Sequence, residues 1–383
     1  MSVSRRMAGI VIAVAAVAGS GVVQVSPVVA EPRQEVQITR FLGEQRLPYK
    51  MPFGDTLVGG LSGIDRDPRT DTWYFISDDR GRYNSPRFYT GRLDIDTDTG
   101  AFNGVSLTGV HTLLRADGTP YPAYGKSESV DPETIRYDQW SDRLLWGSEG
   151  DRTDATHPEI PLSDQSVRWV DKEGRHLGDL EVPANLKLTG ADSGPRRNYG
   201  FEGLSFTPRG IAAIVEGPRY EDGESPNLEH GAPTRITVWG RDGKLRAQYA
   251  YQVDPLPVAP VPAGGDTDTG VSEILAIDDQ RFLALERSWI EGSDYRVKLY
   301  EIDLSRATNI LRSPSLLEAR WYRPVTKRLV ADLGGYQQPV QNLESLTWGP
   351  RLRNGECTLV IGSDDNFDTH EYTQFLAFAA KGC

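Results

Sequence analysis

The sequence predicts an all-β fold, most simply a β-propeller of five four-stranded blades. Three observations support this prediction: a motif that recurs about every 70 residues, a composition rich in turn residues, and a last repeat that lacks one strand. The 383 residues include 39 Gly and 25 Pro and show no long helical periodicity beyond the N-terminus, which favours short strands joined by turns. Six blades, with one irregular blade inside the long loops, and another all-β fold remain open alternatives.

A glutamate opens four of the five repeats, and the four are Glu133, Glu202, Glu273 and Glu344. The first repeat keeps the surrounding pattern at residues 60–64 but lacks the acid. In every repeat a second acid follows an apolar run, and these second acids are Asp78, Asp79, Glu149, Glu216, Glu286, Asp364 and Asp365.

Apolar and alternating runs bounded by Gly, Pro, Asp and Asn predict four strands in each complete repeat. The predicted strands of the first four repeats are 60–65, 72–77, 87–95 and 104–114; 133–138, 144–149, 166–171 and 176–182; 202–207, 211–216, 234–240 and 244–252; and 273–278, 281–286, 295–303 and 326–332. The fifth repeat supplies 344–348, 357–363 and 372–380, and an unassigned run at 35–42 fits the missing place. A propeller closes its ring by building the last blade from both termini, so we expect 35–42 to pair with 372–380.

The two acids of each repeat are expected to meet at one mouth of the central channel. The glutamate begins the innermost strand and the second acid ends its antiparallel neighbour, so both lie at the same edge of the blade. So many carboxylates cannot all stay ionised close together without cations. Hard oxygen ligands suit Ca²⁺, so the sequence predicts a calcium site built from the second acids, with the repeated glutamates as catalytic residues.

Basic residues follow the second acids in four repeats, and they are Arg80, Arg152, Arg219 and Arg287. One interpretation is that these guanidinium groups bind an anionic substrate bidentately. The alternative is a structural ring of ion pairs with no metal. Both interpretations can hold at different repeats.

Two aspartate-rich segments, 94–100 and 266–270, invite comparison with calcium loops. The spacing fails in the first, because Val105 stands where a ligating glutamate is needed. We interpret 94–100 as a hairpin turn. The segment 266–270 is similar, but it leads directly into Ser272 and Glu273 and so lies near the predicted site.

Five segments together resemble the phytase-like family, which is also called "esterase-like activity of phytase". They are residues 59–64, 75–80, 200–204, 215–218 and 342–346. The resemblance covers most of residues 50–380, including the order of the motifs. It implies a secreted β-propeller whose acids carry out phosphoester hydrolysis on a small phosphorylated substrate. The residues do not match the calcium-dependent propeller phytases one by one, so phytate specificity is not implied.

Three functions compete at this stage. The first is a metal-dependent phosphoester hydrolase, a phosphatase or phosphodiesterase. The second is a glycoside hydrolase, because paired carboxylates can serve as acid and nucleophile or base. The third is a propeller that binds a ligand without catalysis. The arginines favour phosphate over a neutral sugar, and Trp73, Trp146 and Trp239 lie within strands, where a core role is the simpler interpretation.

The first 30 residues have the pattern of an export signal, with Arg5 and Arg6 before an apolar stretch and small residues at 28–30. We therefore expect a secreted protein with one domain at 31–383, no stable membrane insertion after signal cleavage, and a monomeric state. The net charge of −12 disfavours a nucleic-acid partner.

Cys357 and Cys383 are the two cysteines of the chain. Cys357 opens one predicted strand and Cys383 follows the next, so antiparallel pairing brings these ends together. In an oxidising compartment this arrangement predicts a disulfide.

Overall fold

The structure, a computed structural model, describes residues 34–153, 157–336 and 338–383. In it, alternating and fully apolar runs of the sequence form the strands. The predicted signal segment lies outside the described residues. Among those described, no helix is long and apolar enough to cross a membrane. The short 3₁₀ helices are Ala184–Leu186 and Leu333–Gly335.

In the described parts of the chain, 22 strands make up the rest of the regular structure. The strands up to the end of the first blade are β1 (Gln37–Arg46), β2 (Met51–Phe53), β3 (Thr56–Val58), β4 (Gly63–Asp67), β5 (Thr72–Ser77), β6 (Arg87–Ile95) and β7 (Phe102–Thr112). The second blade contains β8 (Pro132–Asp138), β9 (Arg143–Ser148), β10 (Ser166–Val170) and β11 (His176–Asp179). The third contains β12 (Phe201–Phe206), β13 (Gly210–Val215), β14 (Pro233–Gly240) and β15 (Leu245–Gln252). The fourth contains β16 (Thr267–Ala276), β17 (Arg281–Ile290), β18 (Arg296–Asp303) and β19 (Thr326–Asp332). The last strands are β20 (Asn342–Trp348), β21 (Cys357–Asp364) and β22 (Gln374–Lys381).

Five antiparallel four-stranded sheets confirm the predicted five-bladed propeller. The first four have their strands in sequence order, and the fifth has the order β1-β22-β21-β20. Phe41 of β1 is paired with Phe378 of β22, so the predicted closure by the N-terminal strand is also confirmed. The small hairpin of β2 and β3 was not predicted.

The hydrophobic core lies between neighbouring blades. Trp73 and Phe75 of the first blade pack with Phe375 of the fifth, and Phe75 and Phe375 lie edge to face with centroids 5.5 Å apart. Trp146 and Trp239 are fully buried in the next interfaces, which confirms the core role predicted for these tryptophans. Each blade thus buries both faces against its neighbours, and the innermost strands are left to line the channel.

A disulfide joins Cys357, at the start of β21, to Cys383, just beyond β22. The strands are antiparallel neighbours in which Cys357 is paired with Ala380, so the bond holds the C-terminus to the closing blade. The predicted disulfide is confirmed.

Candidate active site at the acidic mouth of the channel

In the second, third and fifth blades, a β-bulge near the start of the innermost strand aims one side chain at the channel mouth. The pairing of the first two strands skips one residue at Glu133, at Glu202 and at Glu344. A bulge leaves one residue unpaired and turns its side chain out of the regular alternation. These three glutamates therefore share one position of the repeat, as predicted.

The fourth blade departs from the predicted alignment by one residue. Its bulge falls at Ser272, and Glu273 is instead paired with Leu285. The next strand shifts in the same way, because Arg287 occupies the place that Glu149 and Glu216 hold in other blades. A one-residue shift moves a strand side chain to the opposite face. Glu273 and Glu286 therefore do not join the other acids at the mouth, and the spacing that aligned them was misleading.

Nine carboxylates, which we call the acidic mouth, gather at this end of the channel. They are Asp78, Asp131, Glu133, Glu149, Glu202, Glu216, Asp268, Glu344 and Asp364. Two groups are especially tight: Asp78, Asp131 and Glu133 place carboxylate oxygens within 4.8 Å of one another, and so do Glu133, Glu149 and Glu202. Glu133 belongs to both groups and is their shared member.

Glycines make room for this convergence. The backbone N–H of Gly200 donates to Glu149 of the preceding blade at 2.8 Å. A Cβ atom at Gly200 would lie 2.6 Å from the Glu149 side chain, and one at Gly270 would lie 2.3 Å from that of Glu216. Gly200, just before β12, and Gly270, within β16, thus let the acid of the previous blade reach the channel.

Burial is the main cause of the unusual titration of these acids. Removal from water raises the pKa of Glu133 well above its ordinary value, and the charges of Asp131 and Glu202 raise it further. Burial likewise raises the pKa of Glu149 to about 8 and that of Glu344 to about 7. Without a counter-ion the acidic mouth therefore holds protons near neutral pH.

Arg80 and Arg287 form ion pairs with acids of the mouth. Arg80 lies 2.7 Å from Asp131 and 3.8 Å from Glu149. Arg287 lies 2.6 Å from Glu216 and 3.6 Å from Glu344, and its contact with Asp268 is 3.3 Å. Both arginines are thus paired with acids, as the ion-pair interpretation expects, and their binding of an anion stays a prediction.

The other two predicted arginines lie elsewhere. Arg152 donates to backbone carbonyls in the loop that follows the second blade, including those of Ser193 and Pro195. Arg219 forms a buried pair with Asp222, which also binds Arg235. The structure gives both side chains positions in buried networks that hold loops to the blades.

Three predicted metal ligands are also engaged away from the acidic mouth. Asp79 pairs with Arg87, and Asp365 accepts from the backbone of Gly60 at 2.8 Å. Glu286 accepts from Tyr251 at 2.8 Å and from Lys327 at 2.9 Å, between the third and fourth blades. Because successive strand residues face opposite sides, Asp78 and Asp364 point to the mouth while their neighbours point into the blades.

Below the acidic mouth, an ion pair blocks the channel axis. Arg136 is 2% exposed and donates to the carbonyls of Ile64, Leu204, Ile274 and Leu346, one from each of the other four innermost strands. Its partner Glu273 lies 2.7 Å away. Glu273 also accepts from the hydroxyl of Thr134 at 3.0 Å. The geometry gives Glu273 a structural position rather than one open to substrate.

Several oxygens of the acidic mouth lack a hydrogen-bond donor in the described part of the chain. They are Oδ1 of Asp131, Oε2 of Glu216 and Oδ1 of Asp268, all buried. A buried carboxylate oxygen without a partner is costly, and a bound cation removes that cost. The acids outnumber the two guanidinium charges that face them, so the donor set fits a metal ion with oxygen ligands.

A pocket of about 310 Å³ opens beside Asp78 and Arg80. Four of its lining residues have left-handed backbone conformations: Arg80 (φ 58°), Asn198 (φ 59°), Asn366 (φ 45°) and Phe367 (φ 53°). This conformation costs residues such as Arg80 and Phe367 about 1 kcal/mol or more, less for asparagine, and such strain concentrates at functional sites. The pocket gives a small ligand a route to the acids.

Sequence reasoning missed three residues of this region. Asp131 was not among the predicted site residues, although its place two residues before Glu133 could have marked it. Asp268 was assigned to a turn, whereas the structure pairs it with Trp289 in a lengthened β16–β17 hairpin. Arg136 gave no signal, because a lone arginine within a strand does not reveal that it bonds to the other innermost strands. The turn predicted at 94–100 is present, with Gly100 donating to Asp96.

Together, the fold and the site define a five-bladed propeller with a buried carboxylate cluster at one channel mouth. The family model "Phytase-like: Esterase-like activity of phytase" matches residues 56–367, and the chain belongs to that family. Family membership supports a propeller hydrolase.

Among curated proteins, no sequence matches this chain significantly. Three of the similar solved structures are distant in sequence. A GH43 β-1,3-galactosidase with galactodeoxynojirimycin is 8% identical, with a TM-score of 0.42 over 85% of this chain and 91% of the other. The GH43 BlXynB protein from Bacillus licheniformis is 12% identical, with a TM-score of 0.37 over 84% and 50%. The tail fiber of Staphylococcus aureus phage P68 is 9% identical, with a TM-score of 0.32 over 86% and 71%. These likenesses are too distant to bear on activity.

Proposed function

We propose that the protein is a metal-dependent phosphoester hydrolase, acting as a phosphatase or phosphodiesterase on a small phosphorylated substrate. The observation that carries the proposal is the acidic mouth: buried carboxylates with oxygens that lack donors, faced by two arginines and reached through a strained pocket. Acids that hold a cation and arginines that hold an anion are the two requirements of metal-assisted phosphoryl chemistry.

Ca²⁺ is the proposed metal, because carboxylate oxygens are its preferred ligands and its coordination tolerates irregular geometry. Asp78, Asp131, Glu133, Glu149 and Glu202 would hold it, since these residues form the two tight groups that share Glu133. When bound, Ca²⁺ supplies positive charge against the negative charge that develops on a phosphoryl group.

The chain's own residues position the substrate. Arg80 and Arg287 flank the acids and donate from guanidinium groups, whose planar geometry matches two phosphate oxygens at once. Once a cation neutralises the carboxylates that now pair with these arginines, their donors become available to the substrate. Arg80 lies in the pocket wall, so it meets the anion first.

Proton transfer is assigned to Glu344. It lies 3.6 Å from Arg287 and accepts from the side-chain amide of Asn342 at 2.9 Å, which together fix its carboxyl group at the mouth. A carboxyl group held there can deliver a proton to the leaving alcohol or take one from water. Glu202 also remains a candidate catalytic residue. Glu273 instead holds Arg136 in place below the acidic mouth.

The test is a panel of phosphate monoesters and diesters, measured with Ca²⁺ and with a chelator, on the wild-type protein and two variants. Glu133→Gln removes the shared carboxylate, and Glu318→Gln changes an exposed acid as a matched control. We expect hydrolysis that needs Ca²⁺, that is lost in Glu133→Gln and that persists in Glu318→Gln. Activity unaffected by the chelator would contradict the metal mechanism.

The alternative of a glycoside hydrolase is tested in the same panel with nitrophenyl glycosides. Carboxylates within 4.8 Å of each other at Glu133, Glu149 and Glu202 are the feature that favours it. Hydrolysis of a glycoside with no hydrolysis of any phosphate ester would replace the first proposal by this one. If neither substrate class reacts and a ligand still binds, the remaining hypothesis is a propeller that binds a ligand without catalysis.

We also propose that the protein is secreted as a monomer after loss of its first 30 residues. The disulfide supports an oxidising compartment. N-terminal sequencing of protein recovered from the medium should begin at Glu31, and retention of the full N-terminus in the cell fraction would contradict secretion.

A further inference from the structure

The channel has a second opening, at the other end of the five innermost strands. A pocket of about 320 Å³ lies there, and we call it the far mouth, defined by Asp65, Gln139, Trp140, Phe206 and Trp348. The guanidinium of Arg136 forms its floor and ties the innermost strands together. The far mouth is therefore a separate site, cut off from the acidic mouth by the Arg136–Glu273 pair.

Aromatic side chains form its walls. Trp140 is 61% exposed although it is a large apolar residue. The Arg241 guanidinium lies 3.8 Å from the centre of the Trp140 ring and holds it in place, while Arg241 is itself bound to Asp138 at 3.1 Å. Trp348 is fixed by its indole N–H, which donates to the carbonyl of Ala276 at 3.1 Å. Rigid aromatic rings at a pocket wall are built for stacking against a flat ligand surface.

The guanidinium groups at the far mouth are already paired with acids. Arg136 is paired with Glu273 and lies 4.0 Å from Asp65, Arg66 lies 2.6 Å from Asp71, and Arg241 is paired with Asp138. Among the described residues of the far mouth, these arginines are therefore not left unpaired to attract an anion. This distinguishes it from the acidic mouth, where charges of one sign accumulate.

Polar groups stand between the aromatic walls. The carboxylate of Asp65 accepts from the hydroxyl of Thr347 and from the backbone of Tyr137, each at 2.7 Å, and is thereby held in a fixed orientation. Gln139 adds an exposed amide that can both donate and accept. Stacking surfaces combined with a fixed carboxylate acceptor and an amide match a sugar, whose ring has an apolar face and a rim of hydroxyl groups.

We propose that the far mouth binds a pyranose ring of a neutral carbohydrate, independently of the hydrolase reaction proposed for the acidic mouth. The pocket volume suits one or two sugar rings. Because the axis is blocked, a sugar bound here does not reach the acids, so the site holds the protein on a glycan and does not process it.

The experiment measures binding, not turnover. Saturation-transfer NMR and calorimetry with methyl glucoside, methyl galactoside, methyl mannoside and cellobiose should show at least one ligand, in chelator as well as in Ca²⁺. Trp140→Ala should weaken that binding about tenfold, the usual scale of one stacked ring. Gln139→Ala should weaken it without removing an aromatic ring. Trp321→Ala is the matched control, since Trp321 is 70% exposed and lies outside the pocket.

Absence of binding for all four probes would overturn the proposal, as would equal loss in Trp140→Ala and Trp321→Ala. Binding of indole in place of every sugar would also overturn it, because the site would then select aromatic ligands. Since the measurements do not depend on hydrolysis, failure of the proposed phosphoesterase activity leaves this result intact, and the reverse also holds.

Discussion

Replacement of Arg136 by methionine should destabilise the whole propeller. The guanidinium is buried and bonds to carbonyl groups of all four other innermost strands, so its removal leaves those acceptors and the Glu273 carboxylate without their partner. Breaking a buried ion pair from one side costs about 3–5 kcal/mol. Unfolding entropy of about 2.1 cal/mol/K per residue, over a propeller of about 350 residues, converts this cost to a fall of about 4–7 °C in Tm.

The cost should also depend on pH. Burial raises the pKa of Glu273 to about 7, and the charge of Arg136 opposes that rise. Without Arg136 the pKa of Glu273 rises further, so the folded variant holds a proton that the unfolded chain releases at lower pH. When the folded pKa of a group is raised, the free energy of unfolding of the protein falls as pH increases. The variant should therefore be less stable, relative to the wild type, at about pH 8 than at about pH 6.

Scanning calorimetry at the two pH values measures both effects. Arg353→Met is the control, because that side chain is 79% exposed and should leave Tm unchanged. Combining Arg136→Met with Glu273→Gln removes the stranded charge and should recover part of the loss. A Tm for Arg136→Met equal to that of the wild type at both pH values would refute the role assigned to the central arginine.

Three further predictions concern the closure and the acidic mouth. Replacing Cys357 and Cys383 by serine should cost about 3 kcal/mol on the chain-entropy model, seen as an earlier denaturant midpoint; an unchanged midpoint would mean the bond adds nothing. Burial raises the pKa of Glu149 from 4.5 to about 8, so the chelated protein should lose stability as pH rises through that interval, and added Ca²⁺ should reverse the loss. A thermal midpoint that rises with pH in chelator would contradict this sign. Arg80→Ala should weaken binding of phenylphosphonate about tenfold in calorimetry, whereas Arg353→Ala should not, and equal affinities would remove Arg80 from the anion site.

The blade architecture was predictable because each blade repeats the same apolar runs and turns. Closure followed from a last repeat that is one strand short and from one unassigned strand near the N-terminus. The site was harder, because it depends on single-residue register. Ser272 and Glu273 are adjacent in sequence, yet the bulge in the fourth blade sends only the serine to the mouth position. A repeat spacing of about 70 residues is too imprecise to reveal a register shift of one residue.

Long-range contacts explain the other difference. Asp79 and Asp365 stand beside Asp78 and Asp364, and the sequence offers no way to divide each pair before the partners Arg87 and Gly60 are known. Burial decides whether an acid is a solvated strand end or part of a coupled cluster. This burial results from the packing of five blades, so the sequence of a single repeat does not reveal it.

Calcium titration of the chelated protein by calorimetry is the most direct measurement of the central claim. The acidic mouth should bind Ca²⁺ and release protons as it does so, since its buried carboxyl groups hold protons near neutral pH, and the heat should therefore vary with the ionisation enthalpy of the buffer. Glu133→Gln should weaken binding by about tenfold or more, while Glu318→Gln should bind like the wild type. No heat of binding in any buffer, with Tm unchanged by Ca²⁺, would contradict a metal site at the acidic mouth.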